Sequence, residues 1–253
     1  MAVEIKPANR HSLTPLFAPC RYDRVLIDSV LEGHFGSAHA DSAGAPAVAR
    51  LDSGAFTILA GDPAAPAARD LLRLAPISYV TPQTDGWRRL LQDEFGPCIS
   101  TLTFTDFSAV SLDPAHLASL VQTLPAGFEL RRIDRAYLQH LPMEMGNEYF
   151  FENFWSADDF LARAMGYCVR HAGRSVCAAT AMARSIGAVD IEIETAPEFQ
   201  QRGLGTVAGG RLLLHCLEEG IEPRWLAANA ASEALALKLG YTRGETYETF
   251  EIE

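Results

Sequence analysis

The chain has 253 residues, and its 21 Lys and Arg against 32 Asp and Glu give it a formal charge of −11. With 48% hydrophobic and 21% charged residues it has the composition of a globular protein, which excludes disordered, collagen-like and coiled-coil chains. The acidic balance argues against a broad nucleic-acid surface, and the lack of an 18-residue apolar run argues against a membrane span. We therefore expect a soluble protein of one large domain or two average ones.

The N-terminal sequence and the cysteines indicate a compartment. The segment MAVEIKPANR lacks the apolar core of a signal peptide. The five cysteines are widely spaced and form no CxxC pair, which argues against a disulfide framework or a structural zinc site; they are Cys20, Cys98, Cys168, Cys177 and Cys216. We expect a cytoplasmic protein without a bound metal, present as a monomer or a homodimer.

The first half of the chain alternates between strand and helix patterns. The patterns predict strands at 55–60, 77–80 and 99–107, and helices at 69–74, 86–95 and 114–123, the last of them capped by Asp113. This alternation favours an α/β layer architecture.

Earlier in the chain, the segment Gly33–Asp41 contains His34, His39 and Asp41, which are residue types that can bind a metal. Their spacing is not helical, so a loop with glycine turns is the preferred prediction.

A break at Leu124–Gly127 predicts a boundary near residue 125, which divides the chain into domains 1–125 and 126–253. In the second half we expect a helix capped by Ser156, with Asp159 in the capping-box position. The sequence contains no strong internal repeat. The other predicted elements are strands at 127–133, 167–171, 175–184, 188–195, 224–228 and 246–252, and helices at 134–141, 157–165, 205–220 and 232–239.

One segment, Ile191–Thr206, carries the strongest chemical signal. A strand ends near Thr195, Pro197 stops it, and Gln200-Gln-Arg-Gly203-Leu-Gly205 turns into a long helix. Glycines at a helix N-terminus leave backbone amides uncovered, and those amides and the helix dipole suit a pyrophosphate, to which Arg202 could add hydrogen bonds. A plain tight turn is the alternative. The Rossmann and P-loop patterns do not fit, because the glycines lie too far beyond the strand and no Gly-Lys-Ser/Thr is present.

The pattern Gln200-x-x-Gly203-x-Gly205 resembles the acetyl-CoA signature of the GCN5-related N-acetyltransferases, the GNAT superfamily. Downstream, Asn229-Ala-Ala-Ser232 and Leu237-Lys-Leu-Gly240-Tyr241 resemble a second conserved block of that family, and the order of elements from 127 to 252 matches its fold. The details at Ile191–Thr195 and Trp225 resemble a bacterial subgroup that includes a zwittermicin A resistance acetyltransferase, which would extend the likeness to nearly the whole chain. The resemblance implies an α/β (α+β) protein: a C-terminal GNAT mixed-sheet fold with a smaller N-terminal α/β domain.

The resemblance also implies which residues hold coenzyme A. The amides from Gln201 to Thr206 would bind the pyrophosphate, and the strand edge at Ile193–Thr195 would pair with the pantetheine arm. The amide near Thr195 could polarise the thioester carbonyl. Asn229 would reach the pantetheine, whereas Ser232 is expected to cap the next helix rather than bind a ligand. The full implied set is Ile193, Thr195, Gln200, Gln201, Arg202, Gly203, Leu204, Gly205, Thr206, Asn229 and Ser232.

The reaction implied by the family is direct attack of an amine on acetyl-CoA, which needs a base and an acid. Glu192 and Glu194 alternate with isoleucines, so both carboxylates project from one strand face and are candidate bases; the alternative is a solvated or structurally paired glutamate. The position of the family's usual acidic tyrosine is Ala236 here. Tyr241 or Tyr247 could replace it, or the thiolate could leave through water. Tyr241 is expected to pack in the core, and Tyr247 is a candidate acid, with departure of the thiolate through water left open.

The stretch between the first two helices of this domain combines carboxylates and aromatic rings, which suits a cationic amine. An amphipathic helix with its rings in the core is the alternative. The residues are Glu144, Glu148, Tyr149, Phe150, Phe151, Glu152, Phe154 and Trp155.

The sequence thus predicts an acetyl-CoA-dependent N-acetyltransferase that acts on a small, cationic molecule. The alternatives are a non-catalytic acyl-CoA sensor, which Ala236 favours, and a protein-binding scaffold that does not bind coenzyme A.

Overall fold

A computed structural model describes residues 2–138, 140 and 152–253, and it is a mixed α/β protein. Among the helices of this described part, none is long and apolar enough to cross a membrane. The strands are β1 (Val3–Glu4), β2 (Ser37–Ala40), β3 (Val48–Ser53), β4 (Phe56–Gly61), β5 (Tyr79–Val80), β6 (Ile99–Ser108), β7 (Phe128–Arg132), β8 (Gly166–His171), β9 (Arg174–Arg184), β10 (Ala188–Thr195), β11 (Glu222–Ala227) and β12 (Thr242–Ile252). The helices are α1 (Thr14–Phe17), α2 (Arg24–Leu31), α3 (Ala68–Leu72), α4 (Asp85–Phe95), α5 (Pro114–Val121), α6 (Arg135–Leu138), α7 (Ala157–Arg163), α8 (Leu204–Glu218) and α9 (Ala230–Leu239).

The chain divides into two compact units. The first unit comprises Met1–Phe104 and Tyr247–Glu253, and the second unit comprises Thr105–Thr246. The predicted boundary near residue 125 falls inside the second unit, between α5 and β7. As a domain boundary it stays a prediction.

The first unit contains the strand order β1-β2-β3-β4-β5-β12. All neighbours are antiparallel except β4 and β5, which are parallel. Its core packs α3 and α4 on the sheet around the fully buried Trp87. Arg50, which is 1% exposed, donates to the carbonyls of Leu71 and Ala75 and to the carboxylate of Asp52, so the buried guanidinium holds the end of α3 with its charge compensated.

The second unit contains the strand order β6-β11-β10-β9-β8-β7, in which only β10 and β11 are parallel. The helix α8 packs closely on this sheet, because Gly209 leaves room for Ile193: a Cβ at Gly209 would lie 2.7 Å from Ile193 Cδ1. On another face of α8, a Cβ at Gly210 would lie 3.3 Å from Val121 Cγ2 of α5. Small residues thus let α8 lie between the strand that carries the motif and α5.

Several predicted elements form as expected, and one segment does not. The strand predicted at 188–195 has the observed bounds Ala188–Thr195, and Ser156 Oγ accepts the Asp159 amide at 3.2 Å as the cap of α7. The prediction of a loop over Gly33–Asp41 is wrong for Ser37–Ala40, which form β2. Ala38 and Ala40 are fully buried and β2 pairs with β3, a tertiary contact that outweighs the glycine turns flanking the segment.

Candidate functional site

The strand β10 presents two different faces. Ile193 points toward α8, where a Cβ at Gly205 would lie 3.6 Å from Ile193 Cγ2. Since side chains alternate across a strand, Glu192 and Glu194 point to the opposite face. Both carboxylates therefore lie on one face of β10, as predicted.

The edge of β10 becomes available where β10 and β11 diverge. The parallel register joins Ala188–Asp190 to Glu222–Arg224 and stops there, whereas Ile191–Thr195 stay paired on their other side with Cys177–Ala181 of β9. An extended backbone edge offers unpaired N–H and C=O groups that a ligand with amide groups can use. The segment Ile193–Thr195, predicted to pair with pantetheine, lies in this diverging part.

The turn after β10 is held by its own side chains. Gln200 Nε2 donates to the carbonyl of Thr195 at 3.2 Å, and Arg202 donates to the carbonyl of Glu198 at 3.1 Å. The Arg202 guanidinium also lies over the ring of Phe199, 5.2 Å from its centroid. Gln200 and Arg202 therefore shape the turn in this structure, in addition to any contact with a ligand.

Two residues with left-handed backbone conformations connect the turn to the helix. Gln201 has φ 58° and Gly203 has φ 79°, and Gly203 takes the N-cap position of α8. The Val207 amide donates to the Gly203 carbonyl at 3.2 Å, so the helical ladder begins there and the amides before it point out of the helix end. Left-handed residues in a turn form concave groups of N–H donors, and the positive end of a 15-residue helix adds to their attraction for phosphate.

The hairpin between β8 and β9 contributes a contact that the sequence did not predict. Arg174 donates to the Glu198 carboxylate at 2.9 Å, so the turn is tied to the start of β9. Arg174 lies 24 residues before Glu198, and no local sequence pattern joins them. Only the antiparallel register of β9 and β10 brings them together.

The carboxylate of Glu192 has an unusual environment. Burial, together with the neighbouring charges of Glu194 and Glu152, raises the pKa of Glu192 from 4.5 to about 7. A carboxyl with that pKa exchanges its proton at neutral pH, which is the property that a general base needs. The cross-strand neighbours of Glu192 and Glu194 are Thr180 and Ala178, and both are fully buried.

The block after β11 is arranged differently from the prediction. Asn229 caps α9 by accepting the Ser232 amide at 2.9 Å, so the expectation that Ser232 is the cap is wrong. The capping oxygen must lie before the first helical turn, and α9 begins at Ala230, two residues earlier than Ser232. Ser232 Oγ instead accepts from Trp225 Nε1 at 3.1 Å and joins α9 to β11.

The tyrosines considered as acids are both buried. Tyr241, as expected, packs in the core, where its ring lies beside Trp225 and its hydroxyl donates to the Pro223 carbonyl at 3.0 Å. Burial raises the pKa of Tyr241 well above its ordinary value. Tyr247 belongs to the first unit, where it is 7% exposed and stacks on Tyr22 at 4.0 Å between ring centroids. The acid role of Tyr247 stays a prediction.

The aromatic and acidic stretch falls largely outside the described residues, which include Glu152, Phe154 and Trp155 but not Glu144, Glu148, Tyr149, Phe150 or Phe151. Phe154 is buried edge-to-face against Phe160, which agrees with the alternative prediction that the rings of this stretch pack in the core. Trp155, in contrast, is 66% exposed. Glu152 lies close enough to Glu192 to raise its pKa. Within the described part of the chain, no group of three or more His, Cys, Asp or Glu side chains could hold a metal ion.

Comparisons with known proteins agree with this geometry. The family model described as "GNAT acetyltransferase" matches residues 14–250. The uncharacterized N-acetyltransferase YdfB of Bacillus subtilis (strain 168) is 30% identical over 146 residues, which are 56% of this chain. That match spans about half of the relative, 55% of its length.

Solved structures extend the likeness over the chain. A GCN5-related N-acetyltransferase-like protein from Streptococcus suis 89/1591 is 27% identical, with a TM-score of 0.86 over 97% of this chain and 99% of its own. A tandem GNAT protein from the clavulanic acid biosynthesis pathway shares the fold at 14% identity, with a TM-score of 0.62 over 99% of this chain and 97% of its own. The structure contains the diverging strands β10 and β11 and the turn at Gln200–Gly203 with uncovered backbone amides, which we call the amide-rich turn. The family model covers most of the chain, and the chain therefore belongs to the GNAT acetyltransferase family.

Proposed function

We propose that the protein is an acetyl-CoA-dependent N-acetyltransferase that moves an acetyl group directly to the amine of a small, cationic molecule. One observation carries the proposal: β10 carries Glu192, whose pKa is about 7, and the chain passes from the end of β10 through the short 3-10 helix Pro197–Phe199 to the turn at the start of α8, whose backbone amides are uncovered. A carboxylate that can accept a proton, that of Glu192, thus lies on the strand that precedes a set of backbone amides suited to a pyrophosphate.

The residues of the turn fit coenzyme A. Gly203 and Gln201 have the left-handed conformations that aim neighbouring amides at one anion, and Gly203 has no neighbouring atom within 4 Å of where a Cβ would stand. In the proposal, the amides of Gln201–Thr206 hold the pyrophosphate and the edge at Ile193–Thr195 pairs with the pantetheine arm. When bound, acetyl-CoA supplies the activated acetyl thioester.

A carboxylate and a backbone amide of β10 then accept the proton and stabilise the developing charge. Glu192 takes a proton from the acceptor ammonium, directly or through water, and so frees the lone pair that attacks the thioester carbonyl. The backbone amide near Thr195 donates to the carbonyl oxygen as negative charge develops there. Glu194 and Glu152 keep the site negative, which favours the approach of a cationic acceptor. The leaving thiolate takes its proton from water, and the acid role of Tyr247 stays a prediction.

An amine panel tests the proposal. Release of free thiol from acetyl-CoA is measured with polyamines, amino acids, aminoglycoside-like amines and neutral amines at equal concentration. Turnover with cationic amines above the rate with neutral amines supports the proposal. Thiol release no faster than with a catalytically disabled Glu192→Gln variant for every amine would contradict it.

One specific observation favours a second function. Ala236 is fully buried at the position of the family's usual acidic tyrosine, which fits a non-catalytic acyl-CoA sensor. In the panel above, a sensor gives a thermal shift with coenzyme A and no turnover. The proposal also includes the likeness to a zwittermicin A resistance acetyltransferase and a bacterial, cytoplasmic setting; the relatives from Bacillus subtilis and Streptococcus suis support the bacterial part.

A further inference from the structure

Two successive stretches of the chain, which differ from the two units, are built on the same plan. Residues 3–108 run strand, helices, three strands, helix, strand, helix, strand, and residues 128–252 run in the same order. In each run the first four strands are antiparallel neighbours, and the fourth is parallel to the fifth: β4 beside β5, and β10 beside β11. We call residues 3–108 the first copy and residues 128–252 the second copy.

Local details repeat with the topology. The parallel pairing begins at the start of the fourth strand in each copy, Phe56↔Tyr79 in the first and Ala188↔Glu222 in the second. The helix after the fifth strand has 11 residues in the first copy and 10 in the second. Each of these helices is capped by a side chain that accepts the amide three residues later, Thr84 from Trp87 and Asn229 from Ser232. This agreement of order, direction and capping indicates one fold used twice.

The last strand of each copy lies in the other unit. Thr105–Phe107 of β6, from the first copy, pair antiparallel with Trp225–Ala227, and Phe107 is fully buried beside Trp225 in the core of the second unit. Phe250 and Glu251 of β12, from the second copy, pair with β5, and Phe250 is buried in the core of the first unit. Each unit therefore depends on a strand from the other copy.

The first copy has no counterpart of the amide-rich turn. Between β4 and α3 the chain has Pro63 and Pro66, which lack N–H groups, and the Asp62 carboxylate accepts the Ala64 amide at 2.8 Å. A Cβ at Gly86 would lie 2.7 Å from Pro63 Cγ, so the start of α4 closes on this turn. The helix that follows has five residues, against 15 in α8. A carboxylate, two prolines and a short helix are unsuited to a pyrophosphate.

We infer that the protein is an internal duplication of the acetyltransferase fold in which the two copies exchange their last strands and only the second copy retains a coenzyme site. The first copy then acts as a scaffold that completes the sheet of the second unit through β6. The assignment of the coenzyme site rests on the proposed function, whereas the strand exchange does not.

A nicked chain tests the exchange. A site-specific protease sequence is inserted between Ala126 and Gly127, which are exposed, and the full chain is purified and cut. Because each fragment holds a strand of the other, the fragments should co-elute in size-exclusion chromatography at micromolar concentration and after dilution to nanomolar. Fragments that separate without denaturant, each still folded by circular dichroism, would overturn the exchange.

Matched variants sharpen the nicked-chain result. Phe250→Ala removes the buried ring that anchors β12 and should promote separation of the cut fragments, with Phe250→Leu as the milder variant if the first does not fold. Ile186→Ala is the control, because Ile186 is 72% exposed and should leave the fragments associated. Equal behaviour of all three variants would count against an anchoring role for β12.

The number of coenzyme sites per chain tests the inference that only the second copy retains such a site. Isothermal titration of the uncut chain with coenzyme A should give one site per chain, and Gly205→Glu should remove it. Two sites per chain would overturn the loss of the site in the first copy. Zero sites in the folded wild-type chain would refute the coenzyme assignment and with it the proposed function, while the nicked-chain result would still decide the strand exchange.

Discussion

At the scale of single residues, the environment of Glu192 determines how activity should depend on pH. With a pKa of about 7, Glu192 is protonated in acid and can accept a proton only as pH rises through neutrality. We expect kcat/KM to rise to a plateau with a midpoint near pH 7. In Glu192→Gln we expect the plateau to fall by about 100-fold or more and the rising limb to disappear.

Glu194→Gln is the matched control for this experiment, since it lies on the same face of the same strand. It should keep the rising limb and move its midpoint to lower pH, because one of the charges that raise the pKa of Glu192 is gone. A pH profile of Glu192→Gln that still rises near pH 7 would assign the limb to another group.

A second residue-scale prediction concerns stability and Asp23. Burial raises the pKa of Asp23 from 3.8 to about 6, although a hydrogen bond from Thr81 opposes the shift. The folded state thus holds the proton more tightly than the unfolded state, so ionisation destabilises the fold above pH 6 and this cost vanishes below pH 4. The difference between the two pKa values corresponds to about 3 kcal/mol.

Asp23→Asn should therefore raise the free energy of unfolding in urea at pH 7.5, by about 1–3 kcal/mol, and change it little at pH 4. Asparagine tolerates the left-handed conformation that Asp23 adopts at φ 57°. A stability gain equal at both pH values would show that ionisation of Asp23 is not the cause. The sequence could not indicate this, because only tertiary packing buries Asp23.

At the scale of elements, α8 offers a test with its own internal control. Gly203 and Gly220 lie at its two ends with φ 79° and 68°, and neither has a neighbouring atom within 4 Å of where a Cβ would stand. Alanine at either position should cost about 1–2 kcal/mol of stability through left-handed strain. Only Gly203→Ala should also raise the Kd for coenzyme A, by about tenfold or more, since it disturbs the amides at the helix start.

The two variants are compared by urea unfolding and by isothermal titration. Similar losses of stability with an unchanged Kd in both would separate the turn from coenzyme binding and contradict the proposed site. A raised Kd in Gly220→Ala as well would point to a general loosening of α8 instead.

Much of this element was predictable from the sequence, and the reasons are local. Alternating isoleucine and glutamate fix β10, and Pro197 with the following glycines marks the turn. The cap of α9 was not predicted correctly, because Asn229 and Ser232 are both good capping residues and only the observed start of the helix decides between them. The tie from Arg174 to Glu198 depends on strand register and has no local signal.

At the scale of the whole molecule, the exchanged strand β6 links the first copy to α9, the helix beside the proposed coenzyme site. Thr105 Oγ1 donates to Glu233 at 2.7 Å on the first turn of α9, and the hydrogen bonds from Thr105 and Arg243 lower the pKa of Glu233. The same helix carries Leu235, whose Cδ2 would lie 3.4 Å from a Cβ at Gly205. Thr105 can therefore act as a positioning residue for the start of α8.

Thr105→Val should raise the KM for acetyl-CoA by about three- to tenfold and leave kcat within about twofold, since one hydrogen bond of about 1 kcal/mol is lost far from the reacting atoms. Thr105→Ser keeps the hydroxyl and should restore the wild-type KM. If the serine variant is as impaired as the valine variant, packing rather than the hydrogen bond is responsible.

The motif residues predicted the family because they are contiguous in one copy. The duplication could not be read from the sequence, because fold topology is preserved by burial patterns that many sequences satisfy, whereas the turn that would reveal a second motif has become Asp62–Ala67 in the first copy. The path of β6 and β12 is a non-local property, and no spacing along the chain encodes it.

The exchange of last strands has a consequence for how such a chain can diverge. Two separate chains that swap a strand form a dimer in which one gene encodes both partners, so any change in one copy occurs in the other. Joined in one chain, the copies vary independently while each still requires the other's strand to fold. The first copy is thus free to lose its turn at Asp62–Ala67 but bound to conserve Thr105–Phe107, and natural variation should be wide in the former segment and narrow in the latter.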